Sequence, residues 1–271
     1  MGEPETLLLV ASGAATGFVG ALLGLGGGVF LVPLLSLVLH LPIRTAIGAS
    51  LVSVIATASA SATVNLNRGL VNMRLGLALE VATSVGGLTG GLLASLLTQR
   101  QLFLAFGSTL LVMGMLVILR SGRRNVIPDD EAEPGLLGGR LQEGERGYVY
   151  RMKRLPFGLG ASLAAGAISG LLGIGGGIVK VPALNTFCGI PIRVAAATSA
   201  FMIGVTAAAS AFIYWQRGDI SPAISAGVAL GALPAGLLGA RLSERIEARL
   251  LKMLMAAVLM LVGARMGLEG L

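Results

Sequence analysis

Charged side chains are scarce in this chain of 271 residues: Asp, Glu, Lys and Arg together make up 12%, about half of what soluble domains carry. That leaves too little polar surface to coat a water-soluble globule of this size. Aromatic residues are 4%, and there is one cysteine and one histidine. A single cysteine, Cys188, excludes a disulfide framework. The lone His40 has no imidazole partner for a metal site. The sequence carries no Ser/His/Asp, CxxC or HExxH arrangement, so neither an enzyme nor a cofactor is expected. What it does carry is 55% hydrophobic residues and 41 glycines without a Gly-x-y period. Disorder and collagen are thereby excluded, and a polytopic membrane protein remains.

The net charge is +7, but its placement argues against a nucleic-acid surface. Most basic residues fall between apolar blocks, where they orient membrane segments, and no basic stripe is interleaved with aromatics. The N-terminal Met1-Gly-Glu-Pro-Glu5 is acidic, unlike the basic start of a secretory signal, so the first apolar block is expected to be retained.

A bilayer crossing needs roughly 17–25 mostly apolar residues. Six conventional spans qualify: Thr45–Val64, Leu75–Leu97, Leu102–Leu119, Val194–Ile213, Ala223–Ala240 and Arg249–Leu268. Two blocks differ. Thr6–Leu39 and Phe157–Ile192 run to 34 and 36 residues, and a single helix of the first length would measure about 51 Å against a hydrocarbon core of about 30 Å. Both are interrupted at matching places, Gly24-Leu-Gly-Gly-Gly28 and Gly173-Ile-Gly-Gly-Gly177. The lengths predict a helix, a glycine turn at mid-depth and a short returning half-helix in each block. Between the halves, residues 120–156 hold 14 of the 33 charged residues and read as a solvated cytoplasmic linker.

The chain is a duplication. Shifted by 149, Gly17–Gly69 matches Gly166–Gly218 without a gap, with 22 of 53 positions identical. If each broken block leaves on the side it entered, each half makes three crossings and the halves are inverted. The cytoplasmic side then holds 15 Lys/Arg and the outside four, the bias expected of oriented membrane proteins. If the blocks cross instead, the split is 12 against seven. The expected fold is therefore an all-α polytopic membrane protein of two homologous, inverted repeats. Repeat 1 (6–119) has a re-entrant hairpin 6–39 and spans 45–64, 75–97 and 102–119. Repeat 2 (157–268) has a hairpin 157–192 and spans 194–213, 223–240 and 249–268.

The glycine breaks carry the functional signal. A dinucleotide fingerprint fails, because its last glycine is replaced by Val29 and Ile178 and no βαβ unit surrounds it. Glycines here permit tight turns and close helix approach. They also leave the N–H groups of Gly26, Gly27, Gly28 and Val29, and of Gly175, Gly176, Gly177 and Ile178, at a half-helix N-terminus, where peptide dipoles favour an anion. Ser50, Thr198 and Ser199 begin the following spans, and their hydroxyls either donate to such an anion or bond back to the preceding turn. Pro33 and Pro182 sit within the half-helices and read as kinks.

Lys180 and Glu80 have no charged repeat partner, their equivalents being Leu31 and Ala229. Ionisable residues at membrane depth point to function: Lys180 adds charge to the second site or snorkels, and Glu80 carries a coupling proton or lies at the interface beside Arg74. Arg44 and Arg193 follow a proline at the mouth of a span, as anchors or as an anion funnel.

At these residues the chain resembles the TauE/SafE family of sulfite and organosulfur-anion transporters. The matching elements are the doubled GxGGG followed by Val-Pro (Gly24–Pro33, Gly173–Pro182), then Pro42…Ala46-Ile-Gly-Ala-Ser50 and Pro191…Ala195-Ala-Ala-Thr198-Ser199. The first copy has Ala49-Ser50 in place of the family's usual Thr-Ser. The resemblance implies a multi-pass protein of the bacterial inner membrane with a small anionic substrate such as sulfite, a sulfonate or sulfoacetate, exported by alternating access. Import would require H⁺ or Na⁺ as a coupling partner, whereas export needs none; the lipid bilayer is the setting, with no nucleic acid. A passive anion channel and a non-transporting membrane scaffold are the alternatives.

Overall fold

The computed structural model describes residues 3–119, 127–128, 133, 135–143, 146–243 and 248–270. Repeat 1 comprises α1 (Glu3–Leu23), α2 (Gly28–Pro33), α3 (Ile43–Asn67), α4 (Met73–Ala94) and α5 (Gln99–Leu119). Repeat 2 comprises α6 (Leu155–Leu172), α7 (Gly177–Thr186), α8 (Ile192–Gln216), α9 (Pro222–Leu242) and α10 (Ala248–Glu269). Between them lie β1 (Ile127–Pro128), β2 (Gly139–Glu143) and β3 (Arg146–Tyr150), an antiparallel sheet in the order β1-β3-β2. Among the described residues six helices, α1, α3, α4, α6, α8 and α9, are long and apolar enough to cross a bilayer. The chain is a polytopic helical membrane protein.

Contacts repeat at the 149-residue shift. Arg68 donates to the carbonyls of Ala240 and Arg241, and Arg217 donates to those of Gly91 and Leu92. Each partner is displaced by the same 149. The two halves thus clasp one another through equivalent bonds, an arginine closing one helix end of the opposite half in each case.

These bonds also fix which ends lie together. At one end Arg44 donates to the carbonyls of Ser95 and Leu97, and Gly48 abuts the backbone of Asp219. Here α3 begins, α4 ends and α9 begins. At the other end Arg68 reaches α9's last turn and the N–H of Asn72 donates to Thr198 Oγ1 at 3.0 Å. α1 runs parallel to α9, with Leu9 against Gly227, Gly17 against Ala232 and Phe18 against Gly239, so it starts at the first end. The chain then doubles back: Gly27 lies against Thr16 and Gly17, and Ser36 and His40 return to the first end beside Gln99 and Arg100. Small residues make this approach possible, since side chains would hold the backbones apart.

Each half-helix returns differently. α7 is ten residues long and runs through Pro182. α2 ends after six, and Leu34–Val38 continue as a π-turn closed by the Leu39 N–H to the Leu34 carbonyl. Proline lacks an N–H and crowds the carbonyl four residues back, and wider turns are one way a helix absorbs that disturbance.

The linker differs from the expected solvated chain. Leu141, Val149 and Tyr150 are buried, and Leu141 and Tyr150 pack with Leu75, Leu79, Val181, Leu184 and Cys188. Asn72 ties the sheet to the bundle. Its carbonyl oxygen caps α4 by accepting from the Leu75 N–H, and its amide donates to the carbonyls of Leu137 and Gly138 and to the Tyr150 hydroxyl. Burial pushes the Tyr150 phenol up from its ordinary value, the Asn72 bond opposing in part, so Tyr150 stays neutral and serves as that acceptor. Replacing Asn72 with alanine removes the cap and the tether together, about 2 kcal/mol. Limited trypsin digestion at Arg140 and Arg151 is expected to accelerate about 30-fold in N72A, corresponding to more frequent undocking.

Candidate functional site

The two glycine turns meet in the middle of the bundle. A Cβ placed on Gly28 would strike the carbonyl oxygen of Gly173 and lie 2.7 Å from Ser50 Oγ. At the equivalent position, a Cβ on Gly177 would lie 3.0 Å from the Gly24 carbonyl and 3.5 Å from Ser199 Oγ. Each turn therefore sets its carbonyl against the first residue of the other half's half-helix. α3 and α8 wall the junction, with Val54 and Ile203 both against Gly26 and Gly175.

Glycine is required at the turns for a conformational reason as well. Gly26 and Gly27 have φ of 80° and 83°, and Gly175 and Gly176 have 79° and 71°, a region that Cβ-bearing residues rarely adopt. The left-handed N-caps Gly27 and Gly176 leave α2 and α7 without a side-chain cap. Among the described residues no backbone bond engages the N–H groups of Gly26 through Val29 or of Gly175 through Ile178. Buried peptide N–H groups nearly always find a partner, and here two sets of donors without a backbone partner meet in one junction.

The hydroxyls divide. Ser50 Oγ donates to the Gly173 carbonyl at 2.8 Å, locking the first repeat onto the second turn. Thr198 Oγ1 is occupied by the Asn72 N–H and lies at the start of α4 rather than at the break. Ser199 is fully buried and its Oγ has no partner. Sequence reasoning missed Ser169, which adjoins Gly176 and is likewise buried and unpartnered. Its repeat equivalent is Gly20, and that replacement was the legible signal.

The ions also gather here. Lys180 is 1% exposed and its Nζ has no hydrogen-bond partner. Glu80 is buried at 7% exposure, with Oε1 accepting from Thr206 Oγ1 at 2.8 Å and from Ser84 Oγ at 3.1 Å. Its depth follows from register. Asn72 meets Thr198, and eight residues further along both helices Glu80 meets Thr206. Ile203, which walls the glycine junction, is one turn away from Thr206. Glu80 thus belongs to the level of the breaks and not to the interface beside Arg74.

Among the described residues five buried side-chain atoms lack partners: Glu80 Oε2, Ser169 Oγ, Lys180 Nζ, Ser199 Oγ and Ser225 Oγ. Ser169 and Ser199 adjoin the second glycine turn, and Lys180 is on α7. Arg44, by contrast, is spent on the α4 C-terminal carbonyls, and Arg193 is exposed. The cleft of roughly 640 Å³ lined by His40, Arg100 and Glu269 lies at the first end, away from the junction. Among the described residues no cluster of His, Cys, Asp and Glu could hold a metal ion. Arg245, counted among the basic residues expected on the cytoplasmic side, lies outside the described residues.

The family described as "Sulfite exporter TauE/SafE" matches residues 9–266. A "Probable membrane transporter protein YunE" of Bacillus subtilis (strain 168) is 28% identical, with 98% of each chain covered. A "Probable membrane transporter protein" of Xylella fastidiosa (strain 9a5c) is 27% identical over 89% of this chain and 86% of its own. MJ0441 of Methanocaldococcus jannaschii, also named a probable membrane transporter protein, is 23% identical over 94% and 93%. No solved structure matches the chain. With the family match spanning both repeats and both glycine turns, the chain belongs to the TauE/SafE family of membrane transporters.

Proposed function

We propose that the protein is a secondary transporter exporting a small sulfur-containing oxyanion, such as sulfite, a sulfonate or sulfoacetate, across a bacterial inner membrane. The substrate rests at mid-depth against the N-terminus of α7, with the first glycine turn completing the site. The observation that carries this reading is the set of unpartnered donors at one turn: Ser169 Oγ and Ser199 Oγ adjoin Gly176 and Gly177, the N–H groups of Gly175–Ile178 have no backbone partner, and Lys180, whose Nζ has none either, is on the first turn of α7. A buried donor without a partner is costly, and an oxyanion satisfies several at once. Non-helical backbone at membrane depth is tolerated where it lines such a site, and broken helices at a repeat interface are where transporters hold substrate.

In this conformation Val54 and Ile203 shut the junction between the turns. Access from either side then requires α3 and α8 to part, each moving with its own repeat in a rocking motion. The linker and its basic residues mark the cytoplasmic side, which places residues 36–44 outside. Moving one net negative charge outward gains about 2.3 kcal/mol per 100 mV of potential, which favours export of any substrate that leaves with net negative charge.

Labelled sulfite flux in proteoliposomes tests this directly, with unlabelled sulfite on the far side. A carrier is accelerated by its trans substrate, whereas a passive channel is not. The S199A variant is expected to raise the half-saturating sulfite concentration about tenfold, the effect of one lost hydrogen bond to a charged group at ~1.5 kcal/mol. Equal flux and affinity in wild type and S199A would remove Ser199 from the site. Absence of any protein-dependent flux of sulfite or sulfonates would leave the scaffold alternative standing.

A further inference from the structure

Glu80 and Lys180 present an unusual pair. Both are more than nine-tenths buried, at 7% and 1% exposure, and each keeps one polar atom, Oε2 and Nζ, with no hydrogen-bond partner. Their sequence neighbours Leu79 and Val181 belong to one buried cluster, which brings α4 and α7 together at this level and sets each charge within the field of the other. Their surroundings hold little other charge. α6 contributes no ionisable residue, α7 none besides Lys180, and α8 carries its own (Arg193, Tyr214, Arg217) near its ends. On α4 itself Arg74 is six residues earlier, about 9 Å along the axis. On the linker side the nearest titratable groups packed with this region are Tyr150 and Cys188. Lys180 lies on the first turn of α7, where side chains lean toward the helix N-terminus, here the glycine turn.

We propose that Glu80 is a proton site whose occupancy is tied to the anion through Lys180, so that one proton accompanies each anion. This rests on the anion site described above. In the empty protein the Lys180 ammonium balances the Glu80 carboxylate. An oxyanion arriving at the α7 N-terminus draws that ammonium to itself. The Glu80 carboxylate, held by Thr206 and Ser84 but stripped of its counter-charge, is then an isolated anion in an apolar interior, which is strongly disfavoured. It takes a proton from the aqueous phase that the site faces, forming the neutral acid. When the anion leaves, Lys180 turns back and the proton returns to water. Sodium fits this place poorly, because Glu80 offers one free oxygen and the neighbouring ammonium repels a second cation. Transport energetics then depend on substrate charge. A sulfite dianion moved with one proton still carries one negative charge outward, whereas a sulfonate monoanion moves without net charge.

Equilibrium binding of methanesulfonate to the purified full-length protein, across roughly pH 4–7, tests the coupling, because this strong-acid anion does not itself titrate there. Wild type is expected to bind about tenfold more weakly for each pH unit once Glu80 is ionised in the free protein, and to take up one proton per anion in weakly buffered solution. Glu80→Gln, a mimic of the protonated acid, is expected to bind with no pH dependence and no proton uptake, while matching wild-type affinity at low pH. Thr206→Val, which removes a bond favouring the carboxylate, is expected to move the onset of the pH dependence upward. A flat wild-type profile, or an unaltered slope in E80Q, overturns the proposal. So does an E80Q protein weakened equally at every pH, which signals a structural role. Failure of both methanesulfonate and sulfite to bind wild type overturns the anion site, and the coupling with it. Binding without proton uptake overturns the coupling alone.

Discussion

Replacing Gly28 with alanine is expected to lower sulfite flux at least about 100-fold in protein that still inserts, while the equivalent Gly177→Ala keeps flux within about tenfold of wild type. The two positions match under the 149-residue shift, and neither has a positive φ, so backbone strain plays no part. The difference lies in what the new methyl meets. At position 28 it strikes the Gly173 carbonyl oxygen and comes within 2.7 Å of Ser50 Oγ and 3.0 Å of Val54 Cγ2. The carbonyl is backbone of the opposing turn and cannot rotate away. It also accepts the Ser50 hydrogen bond that locks the halves together. Separating the turns by enough to admit the methyl breaks that bond and misplaces the Gly175–Ile178 donors.

At position 177 the closest atom is Ile203 Cδ1 at 2.7 Å, the end of a flexible side chain, and the Gly24 carbonyl is 3.0 Å away. An isoleucine terminus rotates at modest expense, and the carbonyl need shift by only a few tenths of an ångström. Overpacking against fixed structure costs roughly 1–3 kcal/mol, and G28A belongs at the upper end. Gly160→Ala serves as a control, since its methyl meets nothing within 4 Å; flux equal to wild type is expected there. Equal losses in G28A and G177A would mean that the close approach of the turns is not what positions the site.

The architecture was legible because membrane-spanning helices announce themselves by length and apolarity. The 149-residue shift that aligns the sequence with itself also relates Ile43–Asn67 to Ile192–Gln216 residue for residue. The breaks were legible for a related reason: a run of glycines inside an apolar block too long for one crossing marks where the helix stops. Side-chain assignments were harder. Thr198 and Ser199 are adjacent in sequence, yet one is consumed by the Asn72 N–H and the other is unpartnered at the turn. Nothing local separates them, because the helix rotation that decides their fates is set by packing against α4. Glu80 looked interfacial when its distance from the start of its span was counted, since that count ignores how far neighbouring helices extend past one another. The linker sheet was hidden by composition. Leu141, Val149 and Tyr150 are few among many charges, and Leu141 and Tyr150 are buried against residues of α4 and α7.

Lys180→Met should separate the two duties assigned to this lysine. Methionine keeps the length and apolar stem of the side chain and deletes the ammonium. Glu80 then faces an apolar interior without a counter-charge, and breaking a buried pair from one side typically destabilises by ~3–5 kcal/mol. A drop in the thermal midpoint of the detergent-solubilised protein is expected, largest at high pH and smaller at low pH, where protonation neutralises the carboxylate. Anion affinity is expected to fall about 100-fold, in line with the loss of a charge-assisted contact of ~1.5–3 kcal/mol. The double variant K180M/E80Q removes both charges. Its thermal midpoint is expected to return close to that of wild type, since no isolated charge remains, while its sulfite affinity stays as low as in K180M. Recovery of stability without recovery of binding is the signature of a cation that contacts the substrate. If the double variant regained wild-type affinity, Lys180 would serve Glu80 alone, and the anion would be held by peptide N–H groups and Ser169 and Ser199 without help from any charge.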